Sequence, residues 1–149
     1  MAKFHELIVN SEEEMNNFAR KVAEVVKKGD VIALNGNLGV GKTVFSRSFV
    51  KYLTAEDQIV VSPTFTLVQI YDAPKFQIWH FDLYRLKDET DLYEVGIEEA
   101  LINGVSLIEW PSLALNFIKD ENLINIKIEM IDEHKRHITV KGIEESRLK

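Results

Sequence analysis

The spacing of apolar residues changes several times along the chain, and each change marks an element. Phe4 to Val9 is a short, largely apolar run that predicts a strand. Ser11-Glu12-Glu13-Glu14 follows as a helix start, with Ser11 as N-cap and Glu14 three residues on, the pattern of a capping box. Met15, Phe18, Ala19, Val22, Val25 and Val26 then recur at helical spacing. Lys27 and Lys28 suit the negative end of that helix, and Gly29 its C′ position. Val31-Ile32-Ala33-Leu34 is an unbroken apolar run of the kind buried in a parallel sheet. Phe45, Ser48, Phe49, Tyr52 and Leu53 then define a second helical face.

Strands dominate the rest. Ile59-Val60-Val61 is short, β-branched and stopped by Ser62-Pro63. Leu67 to Tyr71 and Phe76 to Phe81 predict a hairpin around Asp72-Ala73-Pro74-Lys75. Asp88 to Leu101 is weakly helical, with Gly96 interrupting. Val105-Ser106-Leu107-Ile108 predicts another buried strand, and Pro111 opens a short helix from Ser112 to Ile118. Ile124, Ile126, Ile128 and Met130 alternate with polar residues, as do Ile138 and Val140 beyond a turn at Asp132-Glu133. Parallel-type strands early and hairpins late predict an α/β fold with a mixed, partly parallel β-sheet flanked by helices. With no repeat, low-complexity segment or linker, the 149 residues fit a single domain, 1–149.

Composition narrows the function classes. At 46% hydrophobic residues the chain can bury a full core, which excludes a disordered adaptor. Lys and Arg total 18 against 24 Asp and Glu, a net charge of −6. That balance argues against unaided, sequence-independent binding of nucleic acid, which needs clustered cations. The longest basic run is only His134-Lys135-Arg136-His137. The absence of cysteine removes disulfides and thiolate metal sites. The first residues carry no signal-peptide apolar region, and no stretch reaches transmembrane length, so a soluble cytoplasmic protein is expected, with no membrane partner.

The chemistry begins at Gly36-Asn37-Leu38-Gly39-Val40-Gly41-Lys42-Thr43, which fits G-x-x-x-x-G-K-[ST], the phosphate-binding loop of P-loop NTPases. The glycines let the backbone aim N–H groups at a polyphosphate in conformations a Cβ would forbid. Lys42 supplies a point charge for the terminal phosphates, and Thr43 a hydroxyl for a phosphate-bound Mg²⁺. A strand before the loop and a helix after it give the context the motif requires, where a bare glycine turn with a capping Thr would not. The metal also needs an acidic partner at a strand end. Asp82, after Ile78-Trp79-His80-Phe81, and Glu109, after Val105 to Ile108, both qualify, and periodicity does not choose between them. His80 fits either a proton shuttle or a structural histidine, Arg85 a phosphate or carboxylate partner or a surface residue, and Trp110 nucleotide packing or core packing. No N-K-x-D guanine-reading motif occurs, which disfavours a GTPase. Five scattered arginines (Arg20, Arg47, Arg85, Arg136 and Arg147) do not make the arginine-rich lid of a small-molecule kinase.

The phosphate loop, Ser62-Pro63-Thr64-Phe65-Thr66, His80-Phe81-Asp82-Leu83-Tyr84-Arg85-Leu86 and Glu109-Trp110-Pro111 occur in an order and spacing that resemble the TsaE (YjeE) family, small ATPases of bacterial tRNA threonylcarbamoyladenosine biosynthesis. The resemblance spans nearly the whole chain and implies a P-loop NTPase-like three-layer fold. It implies that ATP or ADP is held by Lys42 and the loop from Asn37 and Leu38 through Gly39, Val40, Gly41 and Thr43, and that Mg²⁺ is bound by Thr43 and Glu109. It further implies catalysis by Lys42, Asp82 and Glu109, a switch segment at Ser62 to Thr66 with Thr64 sensing the γ-phosphate, and nucleotide contacts from Ser11 and Arg136. Ser11 is equally explained as an N-cap. The implied partners are TsaB and TsaD. TsaD transfers threonylcarbamoyl to adenosine 37 of ANN-decoding tRNAs, so this chain would meet tRNA only through the complex, hydrolysing ATP to reset it between turnovers. Two positions depart from the family pattern: Asn37 stands where Asp is frequent, and Ser112 where Glu often follows E-W-P. Ser112 also suits a helix N-cap. A non-catalytic module in which bound ATP only shapes a docking surface is the rival from another class.

Overall fold

The computed structural model describes residues 4–37 and 39–143. Its frame is one seven-stranded sheet in the order β1-β7-β6-β2-β5-β4-β3. The strands are β1 (Phe4–Val9), β2 (Val31–Asn35), β3 (Val68–Asp72), β4 (Gln77–Asp82), β5 (Gly104–Glu109), β6 (Leu123–Met130) and β7 (Arg136–Lys141). The four central strands β6, β2, β5 and β4 run parallel, and β1, β7 and β3 add antiparallel edges. Every residue of β5 is buried, as both faces of a central parallel strand must be.

Helices cover both faces. On one, α1 (Glu12–Val25) and α2 (Lys42–Leu53) press Phe18, Phe45 and Phe49 onto Ile32, Leu34, Ile78, Leu107 and Ile126. On the other, α3 (Thr90–Glu94), α4 (Ile97–Asn103) and the 3₁₀ turns Pro111–Phe117 close over Val31, Trp79, Phe81 and Ile108. This is the expected three-layer α/β arrangement.

Four local expectations change. Helix α1 stops at Val25, leaving Lys27, Lys28 and Gly29 outside it. Gly29 instead serves a turn in which Asp30 accepts from the Lys27 N–H and the Gly29 N–H bonds the carbonyl of Gly104. In α2 the buried face is Phe45, Ser46, Phe49 and Val50. Ser48 and Tyr52 turn to α1, where they bond Asn16 and Glu24. Ile59 to Val61 forms no strand, and the Tyr71 hydroxyl meets both backbone groups of Val61. The segment after Glu109 is 3₁₀ rather than α and begins at Pro111, so Ser112 is not its cap. Gly96 does break the helical stretch, at φ 87, and a Cβ there would lie 2.9 Å from the Trp79 ring. Among the described residues no helix is long and apolar enough to cross a membrane.

Candidate functional site

Parallel pairing brings three strand ends together. Leu34 is in register with Glu109, and Glu109 with Asp82. The phosphate loop after β2 and both acidic candidates therefore share the carboxyl edge of the sheet, where open α/β sheets bind ligands.

The loop itself is built for close approach. Gly36, Gly39 and Gly41 all have positive φ, at 154, 81 and 114. A Cβ on Gly36 would lie 2.7 Å from both the Ile128 carbonyl oxygen and a Val40 methyl. Gly41 precedes α2 without offering a side-chain cap, whereas Ser11 caps α1 by accepting from the Glu14 N–H at 3.1 Å. The first N–H groups of α2 are thus left for an exogenous anion, with the helix dipole behind them. Lys42 opens α2, is only 5% exposed, and its Nζ has no hydrogen-bond partner among the described residues. Burial pushes its pKa down, and the carboxylates of Glu109 and Asp82 oppose that shift. A buried ammonium without a partner, beside an uncapped helix and a glycine cradle, fits a polyphosphate.

Around that lysine each acid is held differently. Glu109 Oε2 is 2.7 Å from Nε2 of His80, which is 2% exposed. Asp82 is fixed at both oxygens: Oδ1 accepts from the Tyr84 N–H at 3.0 Å and Oδ2 from the Thr64 hydroxyl at 3.4 Å. Thr64 also shares a 2.8 Å hydrogen bond with Ser62. Arg85 pins the same segment, donating from Nη2 to the carbonyls of Thr64 at 2.6 Å and Phe65 at 2.9 Å. Trp110 takes a left-handed φ of 57, its ring lies 3.7 Å from Lys42 Nζ, and Tyr84 packs against it at 4.8 Å. Thr43 is exposed on the first turn of α2. Among the described residues no group of three or more His, Asp or Glu side chains forms a metal cage. A metal here would draw on phosphate and water as well as protein, as Mg²⁺ commonly does.

Two cavities flank the loop. One of about 210 Å³ is lined by Ser11, Met15, Val40, Gly41, Val44 and Arg136. It brings Ser11 and Arg136 to the loop although they lie far apart in sequence. Ser11 keeps its capping bond, so the two roles are compatible. Glu14 does not close the box on Ser11; its carboxylate takes the N–H of Asn10 instead. Arg136 does more than line the cavity: its Nε donates to the Val40 carbonyl at 2.8 Å and its Nη1 to the Asp132 carbonyl at 2.8 Å. Val40 turns its side chain into the core, so only its backbone can serve a ligand. The second cavity, about 710 Å³, lies against Asn37, Trp110, Ser112 and Lys127. Leu38 lies outside the described residues.

The profile of the TsaE family, described as "Threonylcarbamoyl adenosine biosynthesis protein TsaE", matches residues 9–138. The chain belongs to the TsaE family. A relative named tRNA threonylcarbamoyladenosine biosynthesis protein TsaE from Rickettsia bellii is 45% identical over 129 residues, covering 87% of this chain and 89% of its own. The Bacillus subtilis protein of the same name is 36% identical over 132 residues, 88% of this chain and 81% of its own. A crystal structure of Bacillus subtilis YdiB superposes with a TM-score of 0.77 at 28% identity, covering 99% of this chain and 90% of that one. The matched span includes the phosphate loop, Thr64, Asp82, Glu109 and Arg136.

Sequence reasoning had no means to find the pairing of His80 with Glu109, the Arg85 clamp or the Tyr84–Trp110 contact. A partial signal existed. His80 and Asp82 are two apart on β4 and so share a face, but which strand lies alongside that face is a matter of register.

Proposed function

We propose that this TsaE family member is a Mg²⁺-dependent ATPase that binds and resets the TsaB–TsaD complex during threonylcarbamoylation of tRNA. The observation that carries the proposal is Lys42: buried, unpartnered at Nζ among the described residues, and within electrostatic reach of both Asp82 and Glu109. In this reading the Gly39–Thr43 backbone and Lys42 bind the phosphates of ATP, and the Ser11–Arg136 cavity takes the nucleoside. Thr43 and Glu109 would hold the metal. Bound there, Mg²⁺ would neutralise charge developing on the phosphate oxygens. Asp82, oriented by Thr64 and Tyr84, would align the attacking water and accept its proton. Water oxygen joins the γ-phosphorus, the bridging bond breaks, and ADP and phosphate leave. Thr64, bonded to Asp82, would report the γ-phosphate to the Ser62–Thr66 segment.

The carbamoyl transfer belongs to the partner complex. An acidic chain of net charge −6 is suited to a protein partner and would meet tRNA only through it, in the cytoplasm. The test is ATP hydrolysis with and without purified TsaB–TsaD, for wild type and Asp82→Ala. Stimulation by the complex that Asp82→Ala abolishes is the expected result. Equal, negligible turnover in all four samples, in the presence of tRNA, would replace the ATPase with a binding switch.

A further inference from the structure

His80 opens the carboxyl half of β4, paired in register with Gln69 and Leu107. It is 2% exposed, and its two ring nitrogens have unequal surroundings. Nε2 is 2.7 Å from Glu109 Oε2. Nδ1 is buried with no hydrogen-bond partner among the described residues. A neutral imidazole carries one N–H, and its position follows from where that proton costs least. On Nδ1 it would be a buried donor without an acceptor, and Nε2 would then turn a lone pair toward a carboxylate. On Nε2 it is satisfied by a charged acceptor, and Nδ1 keeps only an unused lone pair. A shuttle would need a path for the proton at its second nitrogen, and Nδ1 has none.

We infer that His80 is a positioning residue: its Nε2–H donates to Glu109 Oε2 and holds it, so that the other carboxylate oxygen is left, in a fixed orientation, for the nucleotide-bound metal. The inference rests on the nucleotide reading above. Donors behind a liganding carboxylate restrict its rotation, and losing such a donor costs about 10–100-fold in metal affinity or activity. His80 touches neither nucleotide nor metal in this scheme. Its effect runs through Glu109 alone.

Three measurements separate the outcomes. Nitrogen-15 NMR of the nucleotide-free protein, with His80 assigned by substitution, is expected to show a proton on Nε2; an Nε2 without a proton would overturn the inference. Calorimetry of ADP binding is then done with Mg²⁺ and with EDTA for His80→Leu, His80→Gln and Glu109→Gln. His80→Leu, which has no donor, is expected to leave EDTA binding within about twofold and to lose about tenfold or more of the Mg²⁺-dependent gain. His80→Gln, whose amide reaches as far as Nε2, is expected to recover most of it, with kcat following. Glu109→Gln with wild-type Mg²⁺ dependence would sink the metal reading itself. A Glu109 effect with His80→Leu behaving as wild type would sink only the positioning role. If His80→Leu does not fold, the tautomer measurement and the His80→Gln variant still decide.

Discussion

Lys42 Nζ lies 3.7 Å from the centroid of the Trp110 indole, so the cation of the phosphate loop rests on the residue that follows Glu109. Such a contact contributes about 0.5–2 kcal/mol, depending on desolvation. It is small beside the charge-assisted bonds a triphosphate would offer the same ammonium. On the proposed reading, a bound nucleotide is expected to draw Lys42 off the indole, so that Trp110, with the Tyr84 ring tilted against it at 4.8 Å, loses its cation.

Fluorescence follows that exchange directly. The chain has two tryptophans, and Trp79 is buried in the core beneath α3 and α4. In a Trp79→Phe background Trp110 is the single emitter. Titration with ADP is expected to shift its intensity saturably, and Lys42→Ala is expected to abolish the response. A full response in Lys42→Ala would mean that the nucleotide reaches Trp110 without displacing the lysine.

Burial lowers the pKa of Lys42 from 10.5, and this has a stability sign. The unfolded chain holds the proton more tightly than the folded one. Folding is therefore disfavoured by this group below the lowered folded pKa, and the penalty fades as pH rises from there through 10.5. A phosphate bound beside Nζ would oppose the shift, so on the proposed reading affinity is expected to be greatest below the free-state pKa and to fall as pH rises past it. Lys42→Met removes a buried ammonium that has no hydrogen-bond partner among the described residues, while keeping its packing against Trp110. It is expected to stabilise the nucleotide-free protein by about 1 kcal/mol, roughly 3 °C in Tm for a chain of this size. Calorimetric scans without and with ADP test this: the variant should melt higher alone and gain nothing from ADP. A lower Tm would show that the lysine stabilises the empty fold.

Much of this architecture was legible because local chemistry and tertiary structure agree. The unbroken apolar runs at Val31–Leu34 and Val105–Ile108 became central parallel strands, and Gly96 broke its helix. The misreadings lie where tertiary contacts override local signals. Tyr52 fits the helical face of α2 by spacing, yet its hydroxyl is drawn to Glu24 on α1. Val61 reads as β-branched strand, yet Tyr71 supplies its hydrogen bonds. At the candidate site, the P-loop motif pointed to Lys42 and Thr43. It was silent on His80 and Arg85, whose partners are Glu109 and the Thr64 and Phe65 carbonyls, fixed only by the order of the strands.

Arg85 makes the Ser62–Thr66 segment rigid by spanning two successive carbonyls with one nitrogen. Lysine is shorter and ends in a freely rotating ammonium on a flexible stem, so it holds the two carbonyls less firmly than the guanidinium does. Arg85→Lys is expected to leave ADP affinity within about twofold and to lower partner-stimulated kcat by about tenfold, equivalent to about 1.4 kcal/mol. Hydrogen exchange gives the independent readout: amides of residues 64–67 should exchange faster in the variant. Unaltered exchange together with reduced turnover would instead assign Arg85 a direct role toward substrate or partner.

Arg136 separates two kinds of contact. Its Nε holds the Val40 carbonyl, and its Nη1 the carbonyls of Asp132 and Lys135, so it ties the phosphate loop to the β6–β7 turn. That turn is itself set by Asp132 Oδ1, which accepts the N–H groups of His134 and Lys135 at 2.8 Å each. Those two bonds lower the Asp132 pKa from 3.8, so the turn loses their support only as pH falls through that lowered value. Arg136→Ala leaves the Val40 carbonyl without its charged donor, a loss of about 1.5–3 kcal/mol in loop order. If the tether is the main role, inorganic pyrophosphate and ADP should both bind about tenfold or more weakly, since 1.4 kcal/mol is a factor of ten. If Arg136 acts instead by touching the base or ribose, pyrophosphate affinity should be unchanged and only ADP should suffer. The structure favours the first outcome, because the arginine's strongest contacts are to backbone that any polyphosphate needs in place.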